Sequence, residues 1–273
     1  MTIKAVTFDL WFTLIWDNEE LEEYRKLRRL VNFHRYAKKY NNFLENGGSF
    51  GFNEVRLALE QVQLKVKDLY ERGIDVHPSD RGKMLFEFLK IRVPREECAQ
   101  IYEGAGKILS NSGYYKRYPN VNPEAEPTLR ALKEEHPEIK IGLVSNAARS
   151  SATYGRMLRS FGLAKYFDEL VISCEVGYLK PRKEIFKAAL ARLDVMPSEA
   201  LHVGDLFRAD IVGAADYGMN AALYTGLWNR YVVSRDAPQI HDHLPAGYRA
   251  PRGRVVKEIE NLKETAKIVN ELA

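Results

Sequence analysis

The sequence predicts an α/β fold: a parallel sheet core with an all-helical domain inserted after the first strand. Three observations predict it. An apolar run, Ile3 to Phe8, opens the chain and stops at Asp9. From about Glu19 to Ser112 only helical patterning follows. From Tyr118 onward, short apolar runs alternate with helical stretches of about 10–15 residues, the pattern of β-α-β units with right-handed crossovers.

The elements follow in order. Ile3 to Phe8 is a short, continuously apolar strand. A helix begins near Glu19 and carries Leu21, Tyr24, Leu27 and Val31 at helical spacing. The Asn- and Gly-rich stretch 41–51 breaks it. Further helices are expected over Asn53–Arg72, Ser79–Leu89 and Pro94–Leu109, the last opened by a proline suited to a first helical turn. In the second half, Pro123–Glu135, Ser151–Phe161, Arg182–Leu193 and Phe207–Tyr217 read as helices. Ile139–Val144, Leu170–Ile172, Ala200–Val203 and Asn220–Tyr224 read as strands. Gly226–Arg254 is polar and reads as a long surface loop, and Val255–Leu272 as a closing helix. The expected division is therefore a core of 1–16 and 117–273, Rossmann-like in its alternation, and a helical cap of 17–116. An insert at that point stands over the carboxyl ends of the strands, where open α/β sheets bind ligands.

Composition narrows the class. With 45% hydrophobic and 29% charged residues in 273, the chain can bury a core without staples. A net charge of +4, with no long Lys/Arg block, gives no footprint for nucleic acid. No apolar stretch reaches the length of a membrane span, and the N-terminus does not read as a signal peptide. Cys98 and Cys174 lie far apart and suggest neither a disulfide framework nor a zinc site, which fits a reducing, cytoplasmic setting. The expected partner is a small molecule; oligomeric state is not legible.

Polar residues at the strand ends carry the chemistry. Asp9, Ser145, Lys180, Asp205 and Asp210 all fall at or just beyond predicted strand ends. In a parallel sheet those ends share one edge, so these groups can converge. Converging carboxylates need a cation, and hard oxygen ligands favour Mg²⁺. A lysine and a hydroxyl beside them suit phosphoryl transfer to a carboxylate nucleophile.

Four motifs make the resemblance specific. Phe8-Asp9-Leu10-Trp11-Phe12-Thr13-Leu14, Leu143-Val144-Ser145-Asn146, Lys180-Pro181 and Val203-Gly204-Asp205 with Asp210 resemble, in order and spacing, the four motifs of the haloacid dehalogenase superfamily. The resemblance implies that Asp9 attacks phosphorus and forms an aspartyl-phosphate. It implies that Ser145, with Asn146, holds the phosphoryl group, and that Lys180 pairs with both nucleophile and substrate. Asp9, Asp205, Asp210 and the backbone carbonyl of Trp11 are implied as Mg²⁺ ligands. The helical insert is implied to be a cap that selects a small phosphorylated metabolite.

Two positions depart from that pattern: Phe12 stands where relatives often have Gly, and Trp11 bears on the chemistry. Phosphatases of the superfamily carry Asp two residues beyond the nucleophile, as general acid and base; here it is Trp11. Indole N–H is a donor with no useful acidity. The metal-free 2-haloacid dehalogenases carry an aromatic residue there and share Ser-Asn in the second motif, so a dehalogenase-like hydrolase is the alternative. They lack the Gly-Asp pair that Gly204-Asp205 preserves. A low-activity relative that binds without turnover is the third reading. Elsewhere, His202 reads as a buried, bonded histidine. His241 and His243 around Asp242 read as surface loop. Arg25, Lys26, Arg28, Arg29, Arg35, Lys38 and Lys39 read as a solvated basic face.

Overall fold

In the computed structural model, the described residues are 2–16, 30–35, 37–43, 49–94, 97–98, 100–101, 120–227 and 244–273. Six parallel strands form the core sheet: β1 (Ala5–Phe8), β4 (Lys140–Ser145), β5 (Glu169–Ile172), β6 (Ala200–Gly204), β7 (Asn220–Tyr224) and β8 (Val256–Ile259). Their spatial order is β5-β4-β1-β6-β7-β8. The chain thus builds outward on one side of β1 and then crosses to the other. That reversal makes the carboxyl end of β1, between β4 and β6, the crevice where ligands bind in such sheets. Every residue of β1, β6 and β7 is buried, as expected of strands covered on both faces.

Helices cover the sheet: α3 (Ala125–Glu135), α4 (Ser151–Ser160), α5 (Lys183–Leu193) and α6 (Glu264–Glu271). Ser150 caps α4, its hydroxyl accepting from the Thr153 N–H. One apolar cluster, including Phe8, Leu129, Leu143 and Ile268, and a second, including Val144, Phe186, Ile211 and Ala221, pack the core.

The described part of the insert is mainly helical and has its own apolar cluster. The helices α1 (Phe52–Glu71) and α2 (Pro78–Phe88) belong to it, and residues 30–35 are also helical. In α1 the buried residues Val55, Ala58, Leu59, Val62 and Val66 form one stripe. They pack with Phe33, Leu85, Phe86 and Ile101. A side chain at Gly82 would run into the Cys98 carbonyl, 1.7 Å from its Cβ, so glycine permits this close approach. Most of the helices expected from Glu19 and from Pro94 to Leu109 lies outside the described residues.

Two short strands close the gap from which the insert emerges. β2 (Ile15–Trp16) pairs antiparallel with β3 (Asn120–Val121). The Asn122 side chain donates to the Thr13 carbonyl at 2.8 Å and to the Tyr224 hydroxyl at 3.0 Å, which ties the two crossings to the core.

Two expectations are corrected. Val255–Leu272 is not one helix. Val256–Ile259 pairs in parallel with β7, and α6 begins at Glu264. The β-branched Val256 and Ile259 suit a strand, and pairing with the otherwise open edge of β7 overrides the helical spacing. Phe207–Tyr217 is not uniform either: Phe207–Val212 is a π-helix and Gly213–Asp216 an α-helix. The wide turn lies in the segment that carries Asp210 inward.

Candidate active site

The site begins with a charge problem. Asp9 follows β1, and Asp205 and Asp210 follow β6. One carboxylate oxygen from each lies within 4.8 Å of the others, and all three residues are buried. Lys180 answers part of this charge. Its ammonium donates to Asp9 Oδ1 and Asp210 Oδ1, both at 2.5 Å, and to the Val144 carbonyl at 2.9 Å. All three N–H groups are thereby used. Its side chain is 2% exposed.

Gly204 leaves room for this packing, since a Cβ there would stand 2.3 Å from Asp210 Cγ. Asp210 Oδ2 accepts from the Leu206 N–H at 3.0 Å. Asp210 Oδ1 also meets His202 Nε2 at 3.1 Å, and His202 Nδ1 meets the Thr7 hydroxyl at 2.8 Å. His202 is thus the buried, bonded histidine expected, but its contact with Asp210 was not foreseen. Its place two residues before Gly204 on a buried strand was the available signal.

The two carboxylates bonded to Lys180 are driven apart. Burial pushes Asp9 up to about 6; Lys180 opposes this and Asp210 adds to it. Burial also acts to raise Asp210, but Lys180 and His202 outweigh it and hold it below the usual carboxylate range. Burial would lower Lys180, yet Asp210 and Asp9 hold it above its ordinary value. Burial lowers His202.

Ser145, at the end of β4, is fully buried, and its hydroxyl has no hydrogen-bond partner among the described residues. An orphaned buried hydroxyl costs about 1–3 kcal/mol unless a ligand satisfies it. The side chain of Asn146, expected beside the phosphoryl group, is bonded to the backbone of Lys180. Its amide donates to the Lys180 carbonyl at 3.1 Å and accepts from the Lys180 N–H at 2.8 Å. The side chain therefore clamps the second motif to the third.

Trp11 lies in the tight turn after β1, half-buried against the core cluster. That turn closes through the Phe12 N–H bonding the Ile15 carbonyl at 2.6 Å. Phe12 takes a left-handed φ of 58°, where relatives of the motif often have glycine. Asp242, His241 and His243 lie outside the described residues.

Three buried carboxylates, with one ammonium to offset them, fit a divalent cation with hard oxygen ligands. Because Asp9 is raised to about 6, a cation bound there would have to displace its proton in the lower part of the pH range. Calorimetry in buffers of different ionisation enthalpy is expected to show release of about half a proton per Mg²⁺ near pH 6 and almost none near pH 8. Affinity is expected to rise with pH across that span. Affinity that does not vary there would place the metal away from Asp9.

Such a site on such a sheet defines a hydrolase class. The chain belongs to the haloacid dehalogenase-like hydrolase family, whose model matches residues 3–218. It is similar to the glyceraldehyde 3-phosphate phosphatase of Methanopyrus kandleri, at 29% identity over 80% of this chain and 82% of the relative. A second glyceraldehyde 3-phosphate phosphatase, from Methanothermobacter thermautotrophicus, is 37% identical over 37% of this chain and 43% of its own length. The solved structure of a 2-haloacid dehalogenase from Pseudomonas syringae pv. Tomato DC3000 has a TM-score of 0.58, with both chains fully covered at 23% identity, and shares the fold. Among the described residues no helix is long and apolar enough to cross a membrane.

Proposed function

We propose that this chain is a Mg²⁺-dependent phosphatase that acts on a small phosphorylated metabolite through an aspartyl-phosphate at Asp9. The observation that carries this reading is the convergence of Asp9, Asp205 and Asp210, with Lys180 bonded to Asp9 and Asp210 and the buried Ser145 hydroxyl at the end of the neighbouring strand. The phosphatases among its relatives support it. Cys98 and Cys174 are buried and form no disulfide, which suits a reducing cytoplasm.

In the proposed reaction Asp9 attacks phosphorus while the Ser145 hydroxyl donates to a phosphoryl oxygen. Lys180 faces Asp9 and offsets the negative charge that gathers there. Asn146 holds Lys180 through its backbone and can offer its own N–H to the phosphoryl group. Asp9, Asp205, Asp210 and the Trp11 carbonyl would hold Mg²⁺, which when bound offsets the charge of the phosphoryl oxygens. Residues 17–116 would close as a cap, excluding water and selecting the substrate. A dehalogenase reading finds support in Trp11, but it leaves Asp205 without a task.

A panel of phosphorylated metabolites and 2-haloacids, each with and without Mg²⁺, tests this. Turnover of phosphate esters that requires Mg²⁺ is expected. Asp205→Asn is expected to weaken Mg²⁺ binding strongly, and Asp9→Asn to abolish turnover. Haloacid turnover in the presence of a chelator would favour the alternative.

A further inference from the structure

The loop between α1 and α2 reaches from the cap to the core. Ile74 forms an antiparallel bridge with Tyr178. The Asp75 N–H donates to the Gly177 carbonyl at 3.0 Å, and the Leu179 N–H donates to the Gly73 carbonyl at 3.0 Å. Gly73 has φ of +71°, and a Cβ there would stand 2.8 Å from Arg182 Cγ. The segment this loop grips, 177–179, runs directly into Lys180.

Asp75 carries the contact into the core. Its side chain is 0% exposed, and its Oδ1 accepts from Arg81 at 2.6 Å and from the Val76 N–H at 2.7 Å. Arg81 also donates to the Tyr70 hydroxyl at 2.6 Å and to the Val76 carbonyl at 2.9 Å. The other oxygen, Oδ2, accepts from the Ser173 hydroxyl. Ser173 Oγ in turn accepts from the Ala147 N–H at 2.8 Å. Ala147 directly follows Ser145 and Asn146. One chain of hydrogen bonds therefore runs from the cap cation Arg81, through Asp75 and Ser173, to the turn beside the orphaned Ser145 hydroxyl.

Buried ion pairs are often no better for stability than apolar packing, so their geometry is the better guide to their use. Here the geometry is specific. A hydroxyl that must both donate to Asp75 and accept from Ala147 is fixed in rotation, and each bond strengthens the other. An apolar contact would hold the cap down without setting the 145–147 turn.

We propose that Asp75 is a positioning residue: docked on Ser173 and on 177–179, it sets the Ser145–Ala147 turn and Lys180 in register, so the phosphoryl-binding half of the site is completed by cap docking. The proposal rests on the reading of Asp9, Ser145 and Lys180 as the phosphoryl-transfer site. Its structural half can be tested without turnover.

The test is hydrogen exchange on the full chain, read by mass spectrometry, for the wild type, Asp75→Ala, Ser173→Ala and the double variant. Among the described residues Asp75 makes no hydrogen bond to the 145–147 turn itself. Exchange at 145–147 and 178–180 is nevertheless expected to speed up about tenfold in each single variant, a usual size for coupling between distant groups. Strand β1 should keep its protection. The double variant should be no faster than either single one, since both break the same path. Acetyl phosphate turnover should show a lower kcat in each, and Ser173→Thr, which keeps the hydroxyl, should restore both exchange and kcat. If Asp75→Ala alters exchange only within 70–81, the proposal is overturned. Should Asp75→Ala fail to fold, Ser173→Ala decides: it leaves the Asp75–Arg81 pair intact, and faster exchange at 73–76 and 178–180 together is required. A wild type that turns over no phosphate ester, while exchange behaves as expected, would overturn the functional reading and leave the coupling standing.

Discussion

Acetyl phosphate and nitrophenyl phosphate are expected to be hydrolysed far faster than simple sugar phosphates. The reason is Trp11, which stands two residues beyond Asp9 where phosphatases of the family place a carboxylic acid. An indole, half-buried against the core, cannot protonate a leaving oxygen. A sugar alkoxide develops the most charge on departure and loses most from the missing acid; an acyl phosphate or an acidic phenol loses least. General acid help is worth about 10²–10⁴, so the contrast in kcat/KM, which reports the first chemical step, should be of that size under saturating Mg²⁺. Water attacking the aspartyl-phosphate also lacks its base, so a burst followed by slow turnover is expected in stopped-flow release of nitrophenol. Equal rates on alkyl and aryl phosphates, without a burst, would mean that another acid has replaced the missing one.

Lys180→Met is expected to disable the enzyme and to weaken the fold before any substrate is added. Lys180 is the ammonium that both Asp9 and Asp210 contact at 2.5 Å. Removing one partner of a buried charge group costs about 3–5 kcal/mol. The cost should depend on pH. Without Lys180, Asp9 loses the interaction that holds it down, and its folded value rises further above about 6. A carboxyl raised on folding favours the folded state when protonated, so its contribution is full below the unfolded value near 3.8 and is lost as pH rises through the folded value. The penalty in urea unfolding with a chelator present should therefore be smallest in mild acid and grow through neutrality. Mg²⁺ should recover part of it. A penalty that shrinks as pH rises would show that Asp9 is not the group set free.

Much of this was legible in the sequence because each motif is local. An apolar run that ends in Asp9, or in Gly204-Asp205, declares both a strand and its functional end. The helical insert was legible from the lack of strand patterning between Glu19 and Ser112, and α1 lies where a helix over Asn53–Arg72 was expected. What stayed hidden depends on partners distant in the chain. β8 is four residues whose strand character comes from lying beside β7. The π-helix that carries Asp210 has no separate apolar signature. That the Asn146 side chain bonds the backbone of Lys180, 34 residues later, could come only from the fold. Asp75 and Ser173, 98 residues apart, carried no signal at all.

The measurement that bears most directly on the account is chemical trapping at Asp9. Enzyme mixed with acetyl phosphate and Mg²⁺, quenched and reduced with borohydride, should yield a peptide in which the Asp9 acyl phosphate has become homoserine. The slow second step expected from Trp11 should let this species accumulate. The modification should be absent without Mg²⁺ and from Asp9→Asn. Phosphate release with Asp9 unmodified, or a trapped group on another residue, would contradict the assignment of Asp9 as the nucleophile.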